Sequence, residues 1–447
     1  MYRIAANASV VLALIVWAAL SASAVAQQGA TTAALRAQSA QFNKDVIEVT
    51  RSVYIAVGYS ASNVVLIQGD DGNLIIDTGA NPVDARDIKA ALGDAGRAPV
   101  RAIIYTHSHP DHTGGAKVFA GTDAPPIIAR FESPEAAIGR ANRDGGDQFG
   151  MALPESEYIN AGVQMEFGRR TPPTREGYLP PTHIFSSERE VLTIAGVTVE
   201  LIFTPGETED TLSVWLPEKR VLVSGDNVLR TFPNIAPIRG AKMRSPEQWI
   251  ASLDRLLALK ADYLLPGHTR PVIGADNVRL VITAYRDAMQ SILDQTMAGM
   301  RRGERPDELV QHVKLPPDLA ANPYLQEFYG AVEWMVRGLY ADRLGWFDGN
   351  AANLFPLTSK ERAERLLPLL GGRAKVLSDA REALLAQQYK WAAELADYVI
   401  AVDGSNNDAA LVKSEALTQL GEHQGNAIAR NYYLSVAEHL KQPRVSP

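Results

Sequence analysis

The stretch YTHSHPDHTGG at residues 105–115 constrains this chain more than any other. It packs His107, His109, Asp111 and His112 into six residues, directly behind the β-branched run VRAIIYT at 100–106. Such a run favours a strand, and on an extended segment His107 and His109, two apart, point the same way. Pro110 then suits the first turn of a helix, with Asp111 and His112 on its leading edge. Gly114 and Gly115 let that helix sit close against a sheet. The chain has eight histidines in 447 residues, so three in one loop form a constellation rather than background. Two ligand pairs side by side suit two zinc ions better than one, because each zinc takes about four N or O ligands.

The text around this loop alternates strands with helices. SVYIAVG, NVVLIQGDDGNLIIDTG, REVLTIAGVTVELIFTPG, LSVWLPEKRVLVSGD and ADYLLPGH read as strands, and GDDG at 69–72 is a hairpin turn signal. NPVDARDIKAALGDAG reads as a helix with one buried face. SPEQWIASLDRLLALK opens another, with Ser245 as cap, Pro246 in the first turn and Glu247 beside it. Strands interleaved with helices predict an α/β sandwich over 45–275. From 276 to 447 the chain is expected to be helical, with one helix-turn-helix repeat and a partial second of tetratricopeptide character near 380–426. The loop-rich text at 141–181 is expected to form a flap over the site.

Composition narrows the function. There is no cysteine, which excludes disulfides, thiolate ligands and a cysteine nucleophile. With 44 basic and 51 acidic residues the formal charge is −7 and no basic run stands out, so nucleic-acid binding is disfavoured. The first 26 residues, with Arg3, an apolar stretch at 10–20 and Ala24-Val25-Ala26, read as a secretory signal cleaved before Gln27. The expectation is a periplasmic or secreted protein with no stable membrane insertion after cleavage, since the apolar run is short for a span.

The HxHxDH loop resembles that of the metallo-β-lactamase superfamily, and the resemblance implies an αββα sandwich and further ligands at later strand ends. Asp226 in VLVSGD matches the carboxylate that bridges both metals, and His268 in LLPGH matches the distal histidine. Where most of the superfamily has a histidine, TPGETEDT carries Glu207, with Glu209 as the competing ligand. A carboxylate also binds zinc. This departure, together with PNIAPIRGAKMRS at 233–245 and the helical text at 286–357, resembles the alkylsulfatase branch with its dimerisation domain.

That resemblance implies a dinuclear zinc hydrolase cleaving alkyl sulfates through metal-activated hydroxide, with Asp111 and Asp226 as catalytic residues and a homodimer as the assembly. The implied metal ligands are His107, His109, Asp111, His112, Glu207, Asp226 and His268. Arg239, Arg244 and Asn234 are the expected sulfate contacts, arginine suiting sulfate through its bidentate fork. Asp77 is expected to buttress the metal loop. His183, His312, His423 and His439 are expected to be ordinary surface or core histidines, and Tyr324, Phe328, Tyr329, Trp334 and Tyr340 a core or dimer stripe. Larger members of the branch carry a C-terminal sterol-carrier-like domain, whereas this sequence ends at Pro447, so short or medium alkyl sulfates are expected to serve as well as dodecyl sulfate. Attack at carbon and attack at sulfur both stay open. The rival readings are a β-lactamase or another ester or phosphoester hydrolase on the same dimetal core, and a binding protein with a vestigial site.

Overall fold

A computed structural model describes residues 33–133, 175–238 and 242–442. The expected signal sequence at 1–26, most of the expected flap at 141–181, and Arg239 lie outside the described residues. Among the described residues, no helix is long and apolar enough to cross a membrane.

Two sheets form the frame. The first runs β1 (Asp45–Thr50), β2 (Val53–Val57), β3 (Val64–Gln68), β4 (Asn73–Ile76), β5 (Val100–Ile104), β6 (Ile127–Ala129) and β7 (His183–Ile184) in spatial order. Its first four strands pair antiparallel and the later ones parallel. The β3–β4 hairpin turns at the expected GDDG, closed by Gly69 N donating to Gly72 O at 2.8 Å. The second sheet is built from β8 (Arg189–Ile194), β9 (Val197–Phe203), β10 (Leu212–Leu216), β11 (Val221–Gly225), β12 (Tyr263–Pro266) and β13 (Val272–Ile273), again neighbour to neighbour. Only β11 and β12 pair parallel there.

Most of these strands are buried on both faces, which is why they read as continuous apolar runs rather than alternating ones. Alternation survives as a choice of core. Val65, Ile67, Leu74, Ile76, Ala102 and Ile104 face Leu201, Val214, Val223 and Leu265 between the sheets. Their neighbours Val64, Leu66, Ile75 and Ile103 point the other way, onto Ala85 and Ile88 of helix α1 (Pro82–Ala91). Asn81 caps that helix, its Oδ1 accepting from Val83 N and Asp84 N at 2.9 Å each. A four-residue helix, α2 (Pro110–Thr113), follows the histidine loop with Pro110 in its first turn, as the sequence predicts.

The outer face of the second sheet is covered by α3 (Pro246–Ala258) and α4 (Ala275–Arg301). Ser245 caps α3, accepting from Gln248 N at 3.3 Å. The 27-residue α4 buries Val278, Val281, Ile282, Tyr285, Ala288, Met289 and Ile292, the spacing of a single helix face. These pack with Leu222, Leu264, Trp249 and Leu253 and with Met335, Val336 and Tyr340 of α5 (Val332–Leu344). The layers are therefore helix, sheet, sheet, helix.

This packing moves the boundary between compact units away from the expected 275/276. One unit holds the described residues from 40 to 356, and the other holds 33–39 and 357–442. Helices α4 and α5 belong with the sandwich because their apolar faces close the core of the second sheet. The second unit contains α6 (Ser359–Leu369), α7 (Arg373–Leu385), α8 (Tyr389–Val402), α9 (Asn407–Glu422) and α10 (Ala427–Leu440). From α7 onward each helix packs on the next around alanine-rich contacts such as Ala380, Ala396 and Ala409, which allow close helix approach.

Candidate metal centre

Four strand ends converge on one point. β5 leads through Tyr105 and Thr106 into His107 and His109, and α2 adds Asp111 and His112. β9 leads into the loop bearing Glu207, β11 ends beside Asp226, and β12 ends two residues before His268. All seven expected ligands are thereby brought together. His107, His112 and Asp226 form one set of mutually close donors, Asp111, His112 and His268 a second, and His109, Glu207 and Asp226 a third.

Asp226 stands between the sets. Its Oδ1 lies 3.5 Å from His112 Nε2, while its Oδ2 lies 3.0 Å from His268 Nε2 and 3.8 Å from His107 Nε2. Asp111 Oδ2 is 3.6 Å from His112 Nε2 and 3.5 Å from His268 Nε2. Glu207 Oε1 is 3.8 Å from His109 Nδ1. Two of these donors, His112 Nε2 and Asp226 Oδ1, are buried and have no hydrogen-bond partner. Orphaned buried polar atoms are costly unless a ligand satisfies them, and a set of imidazoles and carboxylates suits zinc. The residues present fit a metal centre, with Asp226 beside His107, His112 and His268, and Glu207 beside His109.

Ligand chemistry needs ionised carboxylates and neutral imidazoles, and without a metal Asp111, Asp226 and His107 meet that need while His112 and His268 do not. Burial, helped by His112, pushes the His107 imidazole down to about 3. Burial alone would raise Asp226, but His268 and His112 outweigh it and hold its carboxyl well below the usual carboxylate range. Asp111 is lowered against its own burial by the same two imidazoles. His112 and His268 move the other way: burial disfavours their charge, yet Asp226 dominates and raises both. The carboxylates thus draw positive charge onto His112 and His268, a role that a bound cation would take over.

Asp77 organises the first half of the centre. Its Oδ1 accepts from Thr106 N at 2.8 Å, and its Oδ2 accepts from Thr106 Oγ1 and pairs with His112 Nδ1, each at 2.8 Å. These bonds turn Nε2 of His112 toward the ligands. Asp77 does this from a left-handed backbone (φ 58°), a conformation unusual for a non-glycine residue. The buttress role expected from the sequence is therefore what the geometry displays.

The second half has supports that sequence reasoning missed. The β2–β3 loop reaches across to the second sheet: Ala61 O accepts from His268 Nδ1 at 2.7 Å, and Asn63 Nδ2 donates to Pro266 O and Thr269 O at 2.9 and 2.7 Å. From the same loop Ser62 Oγ also donates to Asp111 O, in the first half, at 2.5 Å. Asn227 is a second hub. Its Oδ1 accepts from Glu207 N at 3.0 Å, its Nδ2 donates to Thr204 O at 2.7 Å, and its carbonyl accepts Trp249 Nε1 at 3.0 Å. Gly267 leaves room for the shared carboxylate, since a Cβ there would fall 2.1 Å from Asp226 Oδ1. No spacing signal marks Ala61, Ser62, Asn63 or Asn227, because each acts on a partner brought close only by folding.

The expected substrate contacts divide. Asn234 is 2% exposed, and neither its Oδ1 nor its Nδ2 has a hydrogen-bond partner. Arg244 is not an open guanidinium: it is buried, forms an ion pair with Glu207 Oε2, and donates from Nη1 to Asn234 O at 2.7 Å. Glu209, the competing ligand, is exposed and paired with Lys242 at 2.5 Å. His183 and His312 sit in surface pairs with Glu190 and Glu304, and His423 stacks on Tyr389. Tyr340 lies in the core of the second sheet with Tyr324 packed against it.

Comparison with known proteins agrees with this geometry. Residues 57–268 match the family description "Metallo-beta-lactamase superfamily", and residues 305–443 match "Alkyl sulfatase dimerisation". A linear primary-alkylsulfatase of Pseudomonas sp. is 38% identical over 395 residues, covering 84% of this chain and 73% of the relative. An (R)-specific secondary-alkylsulfatase of Pseudomonas sp. is 31% identical over 89% of this chain and 62% of its own length. An alkyl/aryl-sulfatase of Saccharomyces cerevisiae is 29% identical, with 89% and 64% covered. The solved structure of the stereoselective inverting sec-alkylsulfatase Pisa1 from Pseudomonas sp. superposes with a TM-score of 0.78 at 28% identity, over 90% of this chain and 66% of that one. The chain thus spans between three-fifths and three-quarters of the length of these relatives. With matching folds, matching family regions and 38% identity across most of a relative, this chain belongs to the alkylsulfatase family of the metallo-β-lactamase superfamily.

Proposed function

We propose that the chain is a metal-dependent sulfuric ester hydrolase that converts alkyl sulfates and water to an alcohol and inorganic sulfate, using two Zn²⁺ ions. The observation that carries this reading is the convergence of seven donors from four strand ends, two of them buried without a hydrogen-bond partner. When bound, such ions lower the pKa of water and polarise an ester oxygen. The chain's own residues divide the remaining work. His107, His109 and Glu207 take one side, Asp111, His112 and His268 the other, and Asp226 is shared. Asp77 and the carbonyl of Ala61 fix which imidazole nitrogen each of His112 and His268 presents. Asn234, with its buried amide lacking a partner, would supply a donor to a sulfate oxygen, and Arg239 would add a bidentate one. In the balanced reaction attack at carbon forms the alcohol C–O bond, breaks the ester C–O bond and gives one water proton to the departing sulfate. Attack at sulfur forms an S–O bond, breaks the ester S–O bond and gives one water proton to the departing alkoxide. The other proton stays on the water oxygen.

The helical region matching the dimerisation description would join two copies into a homodimer. The test uses the zinc-loaded full chain against alkyl sulfates of increasing length, a phosphodiester and a β-lactam. Sulfate release from at least one alkyl sulfate, two zinc ions per chain by elemental analysis, and a dimer mass by light scattering are expected. Turnover of the phosphodiester or the β-lactam with none of any alkyl sulfate would overturn the reading in favour of the rival hydrolases.

A further inference from the structure

We infer that Arg244 is a positioning residue for the metal centre: it neutralises Glu207 and turns one of its two oxygens toward the metal. This rests on the reading of Glu207 as a ligand. The two side chains are 5% and 2% exposed, and the guanidinium holds Oε2, leaving Oε1 on the side of His109 at 3.8 Å. The backbone of Glu207 is fixed separately by Asn227, so Arg244 governs the carboxylate and not the loop. Arg244 is itself held at two points, donating from Nη1 to Asn234 O at 2.7 Å and from its backbone N to Ile235 O at 2.9 Å.

The physical need is clear. A carboxylate at 207 is the third acidic ligand in a site that already contains Asp111 and Asp226. A buried charge without a partner is strongly destabilising, and a buried pair survives only when its other hydrogen bonds are satisfied. Arg244 meets both conditions, since its Nη1 reaches the Glu207 carboxylate and the Asn234 carbonyl at once. The same contact ties the ligand to the segment bearing Asn234, so metal occupancy and the placement of Asn234 are set by one side chain. A neutral ligand at 207 would need no such partner, so the requirement for Arg244 should vanish with the carboxylate.

The experiment measures zinc affinity by competition with a chromogenic chelator, and zinc per chain by elemental analysis, on the full chain and five variants whose folding is checked by circular dichroism. Arg244→Lys and Arg244→Leu are expected to weaken one of the two zinc sites by about 10–100-fold and leave the other unchanged, the usual range for losing a partner behind a ligand. Glu207→His alone should also bind weakly, because the guanidinium is left buried without its carboxylate. Glu207→His combined with Arg244→Leu should recover affinity to within about tenfold of the wild type, a rescue that a merely structural arginine would not produce. If Arg244→Leu fails to fold, Arg244→Lys and the double variant carry the test. Glu207→Ala losing one zinc while the Arg244 variants keep both at wild-type affinity would overturn this inference alone. Glu207→Ala keeping both would overturn the ligand reading beneath it.

Discussion

The two halves of the metal centre are built in different ways. His107, His109, Asp111 and His112 come from six consecutive residues, and their relative positions follow from a strand end, a proline and one helical turn. Glu207, Asp226 and His268 come from three separate loops of the second sheet, spread over more than sixty residues. The first half is fixed mainly by one buried carboxylate, Asp77, whose bonds stay within the first sheet. The second half depends on contacts between distant segments: the 61–63 loop on the His268 turn, Asn227 on the Glu207 backbone, and Arg244 on the Glu207 side chain. A local motif brings its own geometry, whereas a dispersed one must have each ligand held in place by a partner from elsewhere.

The comparison breaks most visibly at Asp226, which belongs to the second half but lies beside His107 and His112 of the first. Asp226→Ala should abolish metal binding and reduce activity to background, because two of the three donor sets contain its carboxylate. Elemental analysis that still finds two tightly held ions would mean that the halves are independent sites. A smaller effect is expected at Asp77. Asp77→Asn keeps an acceptor for Thr106 N but places an amide donor against His112 Nδ1, so metal affinity should fall by about 10–100-fold. The fold should survive, since the sheet core is untouched. Chelator competition on the purified variant reads the affinity, and an unchanged value would show that the local half needs no buttress.

The smallest effect sharpens the second half. Glu209→Ala removes an exposed pair with Lys242, and such pairs contribute about 0–1 kcal/mol. Zinc content should be unchanged and thermal unfolding nearly so. Loss of a zinc ion in that variant would transfer the ligand role from Glu207 to Glu209.

Much of this was legible before folding. Strand runs, the GDDG hairpin, the Ser245 cap and the HxHxDH loop are local features, governed by side-chain periodicity and backbone preference over a few residues. Even Asp77 was readable as a buttress, since an acidic residue at a strand end beside a metal loop has few other uses. Arg244 was not. Its spacing from Asp226 suited a sulfate contact, but the loop from 234 folds back through a hydrogen bond from Arg244 N to Ile235 O and carries the guanidinium into the buried site beside Glu207. The compact units also divide near 356/357, a division that no local pattern gives. The apolar face of α4 has the same spacing whether it closes a helical domain or a sheet, and only packing against Trp249, Leu222 and Leu264 assigns it to the sandwich.

The sequence by itself therefore determined the class of layers and, through residue type and short-range spacing, the four donors of the HxHxDH loop, while Glu207, Asp226 and His268 were legible through the family resemblance. The tertiary structure decided which donors come within reach of one another, which oxygen of Glu207 faces His109, and what holds His268 in place. Those outcomes depend on atoms dozens to two hundred residues apart meeting within about 3 Å, a distance that hydrogen bonding enforces and no local pattern encodes.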